Sequence, residues 1–266
     1  MGTKYEILDH PEVLASIFHP RPELGARPSD DAVSDHHIWV DADTHIGARF
    51  HTASRTGANL LFFHGNGEIV ADYDELGPVF GKLGINLLAA DYRGYGLSNG
   101  TPTTSTMMAD CHHIYQYACS WLKQQNHTGP LIVMGRSLGS ACALELAAEY
   151  PASIRGLIIE SGFAYAAPLL RLLGVETDRL GFKEEDGFVN IDKIKRYEGP
   201  TLIIHAEFDH IIPFTDGFDL YKASAAQDKS LLKIEGANHN DILLRGFDSY
   251  MQAVERLAHR ITQPDT

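Results

Sequence analysis

Short apolar runs and longer stretches with apolar residues at helical spacing take turns along most of this chain. Asn59 to His64, Asn86 to Ala90, Leu131 to Met134, Leu157 to Glu160, Thr201 to His205 and Leu231 to Glu235 are apolar runs of strand length. Ile38 to Ala53 instead alternates polar and apolar positions, which predicts two antiparallel strands turning around Ala42 to Thr44. Helical spacing predicts helices over Ile69 to Leu83, over Met107 to Lys123 and from Ala141 onward through Leu144, Ala147 and Ala148. A last helix spans about Ile242 to Ile261, with Phe247, Met251, Val254, Ala258 and Ile261 on one face. Such alternation predicts right-handed crossovers and an α/β fold: a mostly parallel, eight-stranded sheet with helices on both faces.

Two stretches stand outside the alternation. Residues 1 to 35 combine an amphipathic segment (Ile7, Leu8, Val13, Leu14, Ile17, Phe18) with His19-Pro20-Arg21-Pro22, which cannot continue a helix. They are expected to form a leader docked on the domain of residues 36 to 266. The 36 residues between Phe163 and Pro200 exceed an ordinary connection in such folds. Their apolar start, with Leu169, Leu170, Leu172 and Leu173, fits either a small cap over the strand ends, about residues 164 to 199, or a helix packed on its own core.

Composition narrows the setting. At 266 residues the chain suits one large domain, and 44% hydrophobic with 21% charged residues is ordinary for a globular protein. A formal charge of −13 argues against nucleic acid or anionic membrane as partner, since phosphate binding needs clustered Lys and Arg. No apolar run approaches the roughly 20 residues that span a bilayer. Cys111, Cys119 and Cys142 fit no zinc or redox spacing, and with no secretory segment they read as reduced thiols in a cytoplasmic protein. Cys142, just inside the helix after Ser137, reads as a small core residue rather than a second nucleophile.

The chemistry centres on Leu131 to Ser140, where a strand meets Gly135-Arg136-Ser137-Leu138-Gly139 and a helix starts at once. This is the order of a nucleophile elbow, with Ser137 at its apex. A turn so tight strains the serine and brings strand and helix together, so positions two before and two after must lack bulk. G-x-S-x-G also arises by chance; the strand before it and the helix after it favour the nucleophile. A serine hydroxyl needs a base, and the base an orienting acid. Reactive groups in open α/β sheets gather beyond the carboxyl ends of strands. Asp209 lies there after Thr201 to His205, and His239 after Leu231 to Glu235, giving the order Ser137, Asp209, His239. Of the 14 histidines only His239 has this position, while Glu160 and Glu207 rival Asp209 as the acid. For the oxyanion, one donor is expected from the Leu138 amide and another from His64-Gly65-Asn66-Gly67, at Asn66 or alternatively Gly67. His64 reads as a holder of backbone, and Asp91 and Arg93 as structural residues able to pair or to bond loop backbone. No metal-ligand constellation appears, and the chemistry needs neither metal nor cofactor.

Together HGNG, DYRGYGLSNGTPT, GRSLGS, PTLIIHAEFDHIIPF and EGANHND resemble the α/β-hydrolase-domain serine hydrolases of the protein 17 depalmitoylase group, with related protein 13 and bacterial groups. The likeness covers about residues 58 to 261. It implies the α/β-hydrolase fold with a small cap, Ser137, Asp209 and His239 as a triad, and oxyanion amides at Asn66 and Leu138. The N-terminal cysteine cluster of those depalmitoylases has no counterpart in residues 1 to 35, so lipid anchoring and protein depalmitoylation do not follow from it.

The expected function is a serine hydrolase that cleaves a small-molecule carboxylic ester or thioester through an acyl-enzyme. A peptidase or amidase on the same residues is the first alternative, and a binding protein that has lost the reaction the second. The base must be neutral to accept a proton, so hydrolysis should fall on acidification through the ordinary imidazole range.

Overall fold

In the computed structural model, which describes residues 5–25 and 30–262, the sheet has eight strands in the order β1-β2-β4-β3-β5-β6-β7-β8. They are β1 (Val33–Trp39), β2 (His45–His51), β3 (Asn59–Phe63), β4 (Asn86–Ala90), β5 (Leu131–Arg136), β6 (Gly156–Glu160), β7 (Thr201–Ala206) and β8 (Lys229–Ile234). β1 pairs antiparallel with β2 and β2 antiparallel with β4, while every other pairing is parallel. The helices are α1 (Pro11–Ile17), α2 (Leu76–Lys82), α3 (Thr104–Gln124), α4 (Ser140–Glu149), α5 (Ala166–Leu172), α6 (Asn190–Ile194), α7 (Phe214–Ala223) and α8 (Ile242–Thr262).

Parallel strands covered on both faces must bury every side chain, and β3, β5 and β6 are buried almost throughout. Successive residues serve opposite cores. Leu61, Phe63, Val133, Leu157 and Ile159 pack with residues of α3 and α4; Leu60, Phe62, Ile132, Met134 and Ile158 pack with residues of α2 and α8. Three boundaries differ from the pattern read in the sequence. β1 begins at Val33 rather than Ile38, because its N-terminal half is polar and only half-buried. The helix expected over 69–83 is a 3-10 turn, Val70–Tyr73, followed by α2. Pro78 has no N–H to donate, so a continuous helix would lose a bond there, and starting at Leu76 puts the proline in the first turn. α3 begins three residues early, at Thr104, where the side chains of Thr103 and Thr106 cap each other's amides.

Residues 5–25 lie against this domain, with Tyr5, Leu8, Val13, Ile17 and Phe18 buried in the α3/α4 core. Thr104 Oγ1 donates to the Leu8 carbonyl (3.2 Å) and the Ser105 amide to Asp9 Oδ1 (3.0 Å). Among the described residues no helix is long and apolar enough to cross a membrane. The three cysteines are free, Cys111 and Cys142 buried.

One half-buried imidazole gives β1 a pH dependence. His36 stacks on Phe50 (ring centroids 4.1 Å apart), meets Trp121 edge-on, and hydrogen-bonds to Ser34 and Tyr117 hydroxyls. Burial pushes it from the usual 6.5 to about 4, against the pull of Asp35. A lowered folded-state value favours the neutral ring, so its stabilisation is full above about pH 6.5 and is lost as pH falls from there through about 4. His36→Phe should therefore lose about 2 kcal/mol less stability than wild type across that window, measured by urea unfolding. Equal losses would remove His36 as the cause.

Candidate active site

The residues around Ser137 form a turn with almost no spare space. β5 ends at Arg136, Ser137 takes a positive φ of 51°, and a 3-10 turn, Ser137–Gly139, leads directly into α4. For a non-glycine residue this is strained backbone of the kind held only where its surroundings over-determine it. A Cβ on Gly135 would sit 2.2 Å from the Gly139 carbonyl oxygen, and one on Gly139 would sit 2.1 Å from that of Phe63. Helix and strands approach more closely than any side chain permits.

Loops after β7 and β8 bring Asp209 and His239 to the same place. His239 Nε2 lies 3.1 Å from Ser137 Oγ, and His239 Nδ1 lies 2.7 Å from Asp209 Oδ2. All three side chains are buried. A carboxylate only accepts, so Nδ1 carries the imidazole proton and Nε2 is left to accept from the serine hydroxyl. Asp209 Oδ1 accepts from the amides of Ile211 (3.0 Å) and Ile212 (2.8 Å), which orients the other oxygen toward His239. Burial alone would raise the Asp209 carboxyl; the bond from His239 and the two amides outweigh it and hold the carboxyl below the usual range. The neighbouring His205, lowered by burial and donating to the Ile212 carbonyl (2.8 Å), is a neutral prop for the same loop.

The rival acids are occupied elsewhere. Glu207 binds Lys233 and the Gly236 amide. Glu160 pairs with Arg136 and accepts from Tyr250 Oη at 2.7 Å, and burial pushes its carboxyl up against the opposing pull of Arg136. His64 bonds the Gly65 carbonyl (2.8 Å) and Asp91 (3.1 Å), and Asp91 also accepts from the Val70 amide. Asp91 and Arg93 do not pair with each other: Arg93 forks onto Asp110 at 2.7 and 2.9 Å and also meets Asp41.

Asn66 and Leu138 both line a cavity of about 180 Å³ that also contains Ser137 and His239. Its walls are largely apolar. Ala166, Leu169, Leu170 and Leu173 come from α5 and the residue after it, Phe188 from later in the 164–199 segment, Ile211 and Ile212 from the Asp209 loop, and Ile17 from α1. The leader also grips the loop after β3. Asn66 Oδ1 accepts from the His19 amide (2.8 Å) and Tyr95 Oη (2.7 Å), its Nδ2 donates to His19 Nδ1 (2.7 Å), and Arg21 Nε donates to the Gly67 carbonyl (2.7 Å). Glu12 of α1 accepts from the Glu176 amide and pairs with Arg179, joining leader to the 164–199 segment.

Sequence reasoning missed His19, Arg21 and Glu68, which lies beside Arg136, and it gave Arg136 no role. Only Arg136 left a signal, a charge at the end of an apolar strand that is buried on both faces. Among the described residues no group of three His, Cys, Asp or Glu side chains could hold a metal ion.

Comparison with known proteins agrees with this architecture. Residues 54–177 match the hydrolase family described as "Serine aminopeptidase, S33". The chain is 33% identical to human alpha/beta hydrolase domain-containing protein 17B over 214 residues, covering 77% of this chain and 66% of that protein. It is 31% identical to mouse alpha/beta hydrolase domain-containing protein 17C over 245 residues, covering 87% of this chain and 68% of that protein. The chain thus spans about two thirds of the length of these relatives. Among solved structures, the Pyrococcus furiosus esterase Pf2001 superposes with a TM-score of 0.73 at 17% identity, over 92% of this chain and 99% of that one. A soluble variant of monoglyceride lipase from Saccharomyces cerevisiae gives 0.68 at 15% identity, over 91% and 98%. At those identities the likeness concerns the fold, which is the α/β-hydrolase fold expected from the sequence. The sequence identity shared with protein 17C over most of its length places this chain in the α/β-hydrolase family, within the group of alpha/beta hydrolase domain-containing protein 17.

Proposed function

We propose that this α/β hydrolase is a serine hydrolase that cleaves carboxylic esters or thioesters of small molecules through an acyl-enzyme. The observation that carries the reading is the unbroken run of bonds Asp209–His239–Ser137, 2.7 and 3.1 Å long, at an apolar cavity. Ser137 Oγ attacks the carbonyl carbon while His239 Nε2 takes its proton, and Asp209 stabilises the imidazolium that forms. The amides of Leu138 and Asn66 meet the oxygen on which negative charge develops. The intermediate collapses, the alcohol or thiol leaves with the proton returned by His239, and water repeats the sequence on the acyl-enzyme. Residues 164–199 act as a small cap over the acyl group and residues 1–35, of which 1–4 and 26–29 lie outside the described residues, as a docked leader; the cap is supported by its share of the cavity wall, the leader by the contacts of Ile17 and His19.

The name of the matched family, a serine aminopeptidase, favours a second reading as a peptidase. A free amino terminus needs a carboxylate left available to it. The carboxylate that lines the cavity, Glu68, is taken up by Arg136, the Gly65 amide and Tyr73 Oη. The apolar wall is the better match to an acyl chain.

The test compares p-nitrophenyl esters and acyl thioesters of increasing chain length with aminoacyl p-nitroanilides. Each methylene buried in the cavity is worth about 0.8 kcal/mol, so kcat/KM should rise roughly fourfold per carbon until the cavity is filled. Faster cleavage of the anilides would turn the assignment to a peptidase, and inertness toward all three classes would favour a binding protein.

A further inference from the structure

Arg136 stands between Gly135 and Ser137 and its side chain turns inward, to a place where three loops meet. Nη2 donates to the main-chain carbonyl of His239 at 2.9 Å. Nη1 pairs with Glu68 at 3.0 Å, and the other oxygen of Glu68 accepts from the Gly65 amide (2.6 Å) and from Tyr73 Oη (2.7 Å). Nε pairs with Glu160 at 3.2 Å, itself held by Tyr250. The Arg136 side chain is 11% exposed. The Gly65 backbone rests directly on this cluster, since a Cβ there would lie 2.8 Å from Glu68 Oε2 and 3.0 Å from Arg136 Nη1.

We propose that Arg136 is a positioning residue of the hydrolytic site, fixing the loop of the base and the loop of the oxyanion amides to the backbone of the nucleophile. The assignment rests on the proposed reaction and deepens it. A buried ion cluster is often no more stable than apolar residues of the same volume, so stability alone gives no reason for a charge at the end of an apolar strand. Position does. The planar fork of arginine can meet a carbonyl and two carboxylates in fixed directions at once, which the single ammonium of lysine cannot. Arg136 bonds the main chain of residue 239 and leaves the imidazole free to serve Ser137 and Asp209. Burial works against the guanidinium charge, but Glu68 and Glu160 outweigh it and keep the group ionised.

The surroundings supply a specific test. Arg136, Glu68 and Asn240 form a wall shared by the cavity at Ser137 and a second one of about 370 Å³, lined further by Tyr73, Glu160 and Tyr250. Removing the side chain therefore leaves a space, flanked by two carboxylates, that a small guanidinium ion can enter. In Arg136→Ala, kcat for the preferred ester should drop about 100-fold, the scale of a displacement near 1 Å, with KM changed by no more than about threefold. Millimolar methylguanidinium should raise kcat in this variant and leave wild type and Ser137→Ala unchanged. Arg136→Lys should recover only part of the loss while melting near the wild-type temperature. If Arg136→Ala does not fold, Arg136→Lys together with Glu68→Gln decides, each expected to lower kcat about tenfold at unchanged KM. Wild-type kcat in the folded variants, or a loss that follows melting temperature and is not rescued by methylguanidinium, would overturn the assignment. Failure of the proposed reaction has a different signature: the wild type itself would neither hydrolyse ester nor react with a fluorophosphonate, and the positioning role would fall with it.

Discussion

Ser137→Ala is expected to lower kcat for the best ester by roughly 10⁵-fold or more and to abolish covalent labelling by a fluorophosphonate. The variant removes the hydroxyl that lies 3.1 Å from His239 and nothing else at the turn. What activity remains comes from binding and the oxyanion donors, which in comparable sites still accelerate hydrolysis roughly 10³- to 10⁴-fold over water. Stability should hardly change, because alanine at a φ of 51° is strained as serine is and the close packing of Gly135 and Gly139 is untouched. Ser137→Gly carries the complementary expectation: equally inactive, and more stable by about 1 kcal/mol as the backbone strain is relieved. Labelling that persists in Ser137→Ala would place the nucleophile elsewhere, and a folded Ser137→Gly that keeps wild-type activity would do the same.

Asp209→Asn should cost about 10⁴-fold in kcat with the fold intact. The asparagine oxygen can still accept from the Ile211 and Ile212 amides, so the loop keeps its shape. Its amide nitrogen then faces His239 Nδ1 and donates to it, which moves the ring proton to Nε2 and leaves no acceptor for the serine hydroxyl. Glu160→Gln offers the contrast, since that carboxyl serves Arg136 and Tyr250 and not the imidazole. A larger loss in Glu160→Gln than in Asp209→Asn would exchange the two roles. The substitution also changes acid stability in a fixed direction. The Asp209 carboxyl lies below its ordinary value in the folded chain, so its contribution is present above the ordinary carboxylate range and is lost as pH falls through the lowered folded value. Wild type should therefore lose stability on acidification through that interval more steeply than Asp209→Asn does.

The eight strands were legible because runs such as Leu131 to Met134 and Leu157 to Glu160 are buried on both faces and carry no competing pattern. Legibility failed where local rules gave way to tertiary ones. Val33 to His37 is too polar to signal a strand by itself and becomes one through its pairing with β2. The site divides in the same way. Ser137, Asp209 and His239 follow strand ends in a known order, so their meeting could be expected from topology alone. Arg136 reaching Glu68 and the His239 carbonyl, or His19 reaching Asn66, joins residues with no periodic relation in the sequence. The interval of 36 residues after Phe163 announced an insertion, yet only the contacts of Leu169 and Leu170 with the cavity show which way it faces.

Ser16, Ile17 and His19 bound the cavity although they precede the first strand. The same stretch also holds the loop after β3 through His19 and Arg21. On the proposed reaction, shape and reactivity are thereby joined: forms that exchanged residues 11 to 22 would recast one side of the cavity and reset the footing of Asn66 and Gly67 together, and a version beginning at β1 would lose both at once.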